Sequence, residues 1–267
     1  MDYQQLLLAL LPDLLVVVAL FAALGVDYSR LRGSRLAKRY EVACQISAAG
    51  LIAGLAVLVL QIAGTMPVMD STADGQLVLN TGTLTLKALL YAMGLGVLPL
   101  AKRDHITPQV SEYFALLLLA TLGMGFVVTS RNLLGAFVAL ELVSLSLYAM
   151  TVLNQARRAS AEAALKYLTF GAVASGFLLF GLSYLYGATG QLDLTQMTGL
   201  TDVPMLVLAY LLIFVGLGFK LALAPFHLWA PDVYQNAPTP VAGWIGSGSK
   251  IAAAALLIAL LQPVVDA

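Results

Sequence analysis

Apolar residues fill most of the chain in long runs, separated by short polar stretches. Eight such segments can be read, at about 6–26, 42–63, 82–101, 111–129, 132–153, 163–187, 203–222 and 240–262. Each is near the ~20 residues a helix needs to cross a hydrocarbon core of about 30 Å. The seventh is followed by a second piece, at about 225–237. Stretch 76–85, QLVLNTGTLT, alternates apolar and polar positions and contains turn residues, which predicts a short surface hairpin before span three. The pattern predicts an all-α polytopic membrane protein of about eight transmembrane helices.

Composition agrees. Of 267 residues, 60% are hydrophobic and 10% charged, with mean hydropathy +0.90, whereas soluble domains carry roughly a quarter charged residues. The formal net charge is zero, so no basic surface for nucleic acid is implied. Cys44 is the single cysteine. It can form neither an internal disulfide nor a thiolate metal site, and is expected to pack as a small apolar residue. The N-terminal MDYQQ lacks a basic leader region and a cleavage site, so 6–26 reads as a retained span rather than a signal peptide.

Loop charges set an expected orientation. Arg30, Arg32, Arg35, Lys38 and Arg39 follow span one, Lys102 and Arg103 follow span three, and Arg157 and Arg158 follow span five. The opposite side holds Arg131 as its loop cation, and carries Asp70, Asp74, Asp193 and Asp202. The positive-inside rule then places loops one, three and five in the cytoplasm and both termini outside.

Lys87, Glu141, Lys220 and Lys250 fall in or near the spans. Lys87, a few residues into span three, is expected to snorkel to the outer surface. Glu141 lies ten residues past Arg131 and Lys250 ten past Pro240, each ~15 Å deep at ~1.5 Å per residue. Lys220 lies about 16 residues past Pro204, or ~24 Å in. An acid and two bases near mid-membrane on three spans form a candidate charge pathway, since each is costly to keep there. A structural ion pair of Glu141 with one lysine is the plainer reading, and it leaves the other lysine unpartnered.

The stretch GFKLALAPFHLWAPDVY, from Gly218 to Tyr234, sets a proline just past Lys220. Pro225 has no N–H for the carbonyl of Leu221, so the helix is expected to stop near Lys220–Leu223. Pro225 then suits the first position of a new half-helix. Lys220 sits at the negative end of the first half, where freed carbonyls can accept its protons. Such breaks at membrane depth occur where they are buried in protein or line a wet cavity, and serve ion sites in transporters. Glu141, Ser144 and Tyr148 share one face of span five. GSGSK, Gly246–Lys250, lacks the phosphate-loop G-K-[ST] and lies in an apolar span, so nucleotide binding is rejected. Its small residues, Ser247 and Ser249 among them, suit close packing and admit water beside Lys250. His227 reads equally as a proton relay or a hydrogen-bonded structural histidine. Lys166, near the cytoplasmic side of span six, reads first as a snorkelling anchor and second as an entrance.

The stretch FKLALAPFHLWAPDVYQNAPTPV, with SK ten residues on, resembles the signature region of the antiporter-like membrane subunits of respiratory complex I. SEYFALLLLATLGMGFVVTSRNLLGAFVALELVSLSLYAM and KYLTFGAVASGFLLFGLSYLYGATG resemble the subunit N branch of NADH:quinone oxidoreductase. They fit it better than the sister subunits L and M or Mrp-type antiporter subunits. The match runs over about 110–255. The resemblance implies a proton-translocating subunit of the bacterial inner membrane, with Glu141 modulating Lys220, Lys220 carrying the proton and Lys250 connecting onward. It implies other membrane subunits as partners, sister antiporter-like ones included. It places NADH, FMN, iron–sulfur clusters and quinone in partner subunits, with no cofactor or metal in this chain. Family members are nearly twice as long, with a second inverted five-helix repeat. Residues 1–103 would then be an N-terminal three-helix unit and 104–267 the first repeat, of a chain expected to be incomplete. The alternatives are a stand-alone cation/proton antiporter and a structural membrane subunit. A redox site in this chain is not expected, as no cysteine cluster, Rossmann pattern or histidine set is present.

Overall fold

A computed structural model describes residues 3–66, 71–72, 76–153, 158–197 and 203–265. Its helices are α1 (Tyr3–Val26), α2 (Leu36–Ile62), α3 (Thr81–Asp104), α4 (Val110–Thr129), α5 (Leu133–Val152), α6 (Arg158–Thr189), α7 (Val203–Leu221), α8 (Ala230–Asn236), α9 (Thr239–Gly246) and α10 (Gly248–Val265). Eight helical segments among the described residues are long and apolar enough to cross a membrane, α9 and α10 together making the last. Every predicted span finds its helix. Asp70, Asp74, Arg157 and Asp202 lie outside the described residues.

The expected hairpin is displaced. Strands β1 (Ser71–Thr72) and β2 (Leu77–Val78) pair antiparallel, two residues each. Residues from Thr81 on are helical because the Asn80 side chain accepts a hydrogen bond from Thr83 N (2.8 Å) and starts α3. That cap outweighs the alternating pattern.

Consecutive helices pack against each other from α1 to α7, and α4 also meets α1, α2 and α10. It can do so because it is apolar all round and buried on almost every side, from Val110 to Thr129. Glycines set the close approaches. A Cβ at Gly54 on α2 would lie 2.9 Å from the Tyr91 ring and 3.0 Å from the Pro12 carbonyl.

The basic loops after α1 and α3 meet at one end. There the Arg39 guanidinium donates to both carboxylate oxygens of Asp27 (2.7 and 2.6 Å) and to the Pro108 carbonyl (2.9 Å). Arg131 organises the other end. Its backbone N–H donates to Gln76 O and its carbonyl accepts from Leu194 N, while its side chain reaches Asp193 (2.5 Å) and Thr195. Burial pushes the Asp193 carboxyl up, but the bonds from Arg131 and Thr195 outweigh it and hold the carboxyl below its usual range.

A group with a lowered folded-state pKa stabilises the fold fully above its unfolded value, about 3.9 for Asp, and stops doing so as pH falls through the folded value. Replacing Asp193→Asn is therefore expected to lower thermal stability in detergent at neutral pH and to flatten the loss of stability below about pH 4. Parallel acid melts of both forms check this.

Candidate functional site

Lys220 lies in the last turn of α7, and the backbone there closes in a Schellman motif. Leu223 N donates to Gly218 O (2.9 Å) and Ala222 N to Phe219 O (3.0 Å). Ala222 takes the left-handed conformation, φ 55°, that this motif needs. The break falls where the lysine and proline predict it. The restart does not. Pro225 is not at the first position of a half-helix, because α8 begins at Ala230 with Pro231 in its first turn. The intervening loop folds its aromatics back on α7. Phe226 packs where a Cβ on Gly218 would lie 2.9 Å away, and Trp229 Nε1 donates to Phe219 O (3.0 Å). Phe170, Phe177, Phe226 and Leu228 border an apolar cavity of about 250 Å³ on that side.

The ammonium of Lys220 turns the other way, to α5. Lys220 is 8% exposed, and its Nζ donates to Ser144 Oγ (2.5 Å) and Tyr148 OH (3.3 Å). Ser144 spends its own proton on the Leu140 carbonyl (2.7 Å), which leaves its lone pairs for Lys220. Tyr148 stands edge-on to Tyr167, which stacks on Trp229 at 4.6 Å. Room for the Tyr148 hydroxyl exists because residue 171 on α6 is glycine, where a Cβ would overlap it. The predicted face of span five is thus the one that meets the lysine.

Glu141 lies one turn from Ser144 on the same face, yet it forms no ion pair with Lys220. Its carboxylate accepts from Ser175 Oγ on α6 (2.6 Å). The freed carbonyls are also shared differently than expected. Leu221 O accepts from Lys250 Nζ (2.7 Å), not from Lys220. Lys250 reaches it because span eight is itself broken, a feature sequence reasoning missed. α9 stops at Gly246 and α10 starts at Gly248, with Ser247 between them at φ −118°, ψ −78°. Gly248 is required there, since a Cβ would lie 2.7 Å from Trp244 and 2.8 Å from Met124. Lys250 therefore sits in the first turn of α10, the positive end of that dipole, and is offset by the negative end of α7. Glycines and serines in an apolar run suit close packing and a break alike, so the sequence did not separate them.

The remaining candidates lie apart from this cluster. His227 is exposed in the loop before α8. Lys166 pairs with Glu162 and Asp232, both at 2.8 Å, and so ties α6 to α8. Ser247 and Ser249 donate to carbonyls of the preceding turn, Gly243 and Ile245. No group of three or more His, Cys, Asp or Glu that could hold a metal ion occurs among the described residues.

Lys87 does not snorkel. It is 2% exposed, and its Nζ donates to Asp13 Oδ2 at 2.6 Å. Its stem passes Gly125 on α4, and its ammonium lies 5.4 Å from the Phe126 ring centroid. A buried carboxylate holds it inward. Sequence reading missed Asp13, although an aspartate following Pro12 inside an apolar run was a signal.

Residues 130–266, just over half the chain, match the family described as NADH:quinone oxidoreductase/Mrp antiporter, TM. The chain is 45% identical over 262 residues to NADH-quinone oxidoreductase subunit N 2 of Acidobacterium capsulatum, covering 94% of this chain and 52% of that one. Among solved structures it is similar to respiratory complex I from Thermus thermophilus, with TM-score 0.75 and 34% identity over 93% of this chain and 52% of the other. An Mrp complex from a Dietzia species shares the fold, with TM-score 0.75 and 21% identity over all of this chain and 50% of the other. The chain spans about half the length of the curated relatives it matches.

Gly171→Ala is expected to displace the Tyr148 ring and cost about 1–3 kcal/mol. A drop in the unfolding temperature of the detergent-solubilised protein checks this. An unchanged midpoint would mean that the hydroxyl is not held at that spot.

Proposed function

The chain belongs to the NADH:quinone oxidoreductase/Mrp antiporter transmembrane family, and on that premise we propose that it is a proton-translocating subunit of the subunit N type. Its site would couple quinone reduction in partner subunits to proton movement. NADH and quinone, which the names of its relatives contain, would belong to those partners, as would the FMN and iron–sulfur clusters that the resemblance implies. The observation that carries the reading is the setting of Lys220. It is buried at a helix break, its ammonium is held by two hydroxyls rather than a carboxylate, and Lys250 occupies the very next carbonyl.

A hydroxyl serves both protonation states of an amine, accepting from the ammonium and donating to the neutral form. A paired carboxylate accepts only. Tyr148 can therefore keep a partner role when Lys220 releases its proton. Burial and a nearby carboxylate act on an ammonium with opposite sign. Glu141, a turn away and anchored to Ser175, would bias whether Lys220 keeps its proton, and a shift of its anchor would change that bias. Lys250 would be the next carrier. The basic loops would face the cytoplasm by the positive-inside rule. α1–α3 would form one unit and α4–α10 the first antiporter-like repeat. His227, Lys166, Ser247 and Ser249 lie beside this line and are not needed for its first step.

A second reading, a cation/proton antiporter subunit of the Mrp type, is favoured by the shared fold with the Dietzia complex. It predicts ion transport by the purified protein in liposomes without redox partners. In the leading reading, Lys220→Ala in the assembled complex is expected to abolish most proton pumping, measured as acidification per NADH oxidised. Undiminished pumping would overturn it.

A further inference from the structure

The three-helix unit carries its own buried charge cluster, apart from the Lys220 line. Asp13 on α1 is 3% exposed, Lys87 on α3 is 2% exposed, and Tyr91, one turn further along α3, is fully buried. Asp13 Oδ2 accepts from Lys87 (2.6 Å) and Oδ1 from Tyr91 OH (2.7 Å). Burying an acid and a base within the membrane is costly, and an apolar pair of similar size would pack α1 on α3 more cheaply.

Polar groups continue on both sides of the cluster along one face of α2. Ser47, Gly54 and Gln61 are spaced by seven residues and all are buried. Gly54 is where Tyr91 packs, so the cluster sits at the middle of that row. Gln61 Nε2 donates to the Leu8 carbonyl (2.9 Å), which Pro12 leaves without its helical donor. Gln61 Oε1 and Ser47 Oγ, in residues only 5% and 0% exposed, have no partner among the described residues. Buried polar atoms of this kind are normally satisfied, and water is the usual partner. Each lies about 10 Å along α2 from Gly54, a gap that a few hydrogen-bonded waters span. A purely structural ion pair accounts for the Asp13–Lys87 bond. It does not account for unpartnered groups placed one on either side.

We propose that Asp13, Lys87 and Tyr91 form a second protonatable site, reached by water past Gln61 from one end and past Ser47 from the basic end. In the resting pair the carboxylate and ammonium are both charged. Transfer breaks one N–H bond of Lys87 and forms an O–H bond on Asp13, leaving a neutral amine and a carboxylic acid. A proton from water on one side recharges the amine, and the acid releases its own to water on the other. One proton enters and one leaves, and the pair returns to its starting state. Tyr91 donates to the carboxyl in either state. This step rests on the proton-translocating reading above, but it uses none of the same residues.

The test uses the full natural polypeptide assembled in its membrane complex. Asp13→Asn with Lys87→Met removes both charges together and leaves no unpaired ion. The expected result is an assembled complex that moves fewer protons per electron pair, and an unchanged ratio overturns the proposal. Should the double variant fail to accumulate, Ser47→Ala and Gln61→Leu leave the ion pair intact and decide the matter. Slower proton movement in either supports the proposal, and wild-type rates in both overturn it. Lys220→Ala in parallel separates the two readings. If it stops pumping while the α1–α3 variants do not, only this second site is wrong. If Lys220→Ala is itself harmless, the proton-translocating reading fails.

Discussion

Breaking a helix inside hydrocarbon leaves carbonyls with no water to turn to, and each must find a donor within the protein. The end of α7 meets this demand from three directions. Its own following residues close on Gly218 and Phe219, Trp229 adds an indole N–H to Phe219, and Lys250 takes Leu221. The last of these ties span eight to span seven, Lys250 reaching the carbonyl from the first turn of α10 beside the break in span eight. Two helix ends of opposite polarity thus face each other, with one lysine on each. The aromatic loop returns over one side of α7, and the polar side is left to α5.

That division places Lys220 among hydroxyls. Ser144 and Tyr148 fall on the α5 face because their spacing from Glu141 follows the helix, and Gly171 on α6 makes the space in which the Tyr148 ring ends. α4 supports both halves of the molecule. Met124 abuts the break in span eight, and the neighbouring Gly125 and Phe126 bound the Lys87 pocket. Three successive residues of one buried helix therefore border the break in span eight and the Lys87 pocket. The glycines at 125 and 248 are there for the space they leave.

Much of this was readable in the chain. The spans stand out because hydrocarbon sets their length, and the α7 break because Pro225 follows a mid-membrane lysine. The stripe of Glu141, Ser144 and Tyr148 needed only helical periodicity. What could not be read has a common cause, since the deciding partner is distant in sequence. Asp13 lies 74 residues from Lys87, and without it Lys87 looks like a surface anchor. Leu221 and Lys250 are 29 residues apart, and nothing local says which lysine takes the carbonyl. The start of α8 depends on how Phe226 and Trp229 pack, not on the proline that ends α7. The displaced hairpin is the exception, a local error in which the Asn80 cap was undervalued against alternation.

The central claim is that Lys220 acts by giving up and regaining a proton, not merely by being positive. Arginine separates the two, because it keeps the charge and does not deprotonate in proteins. The most direct measurement is the number of protons moved per NADH oxidised by the assembled complex carrying Lys220→Arg. Loss of proton movement is the predicted result. Pumping at the wild-type ratio with an arginine at position 220 would contradict the account.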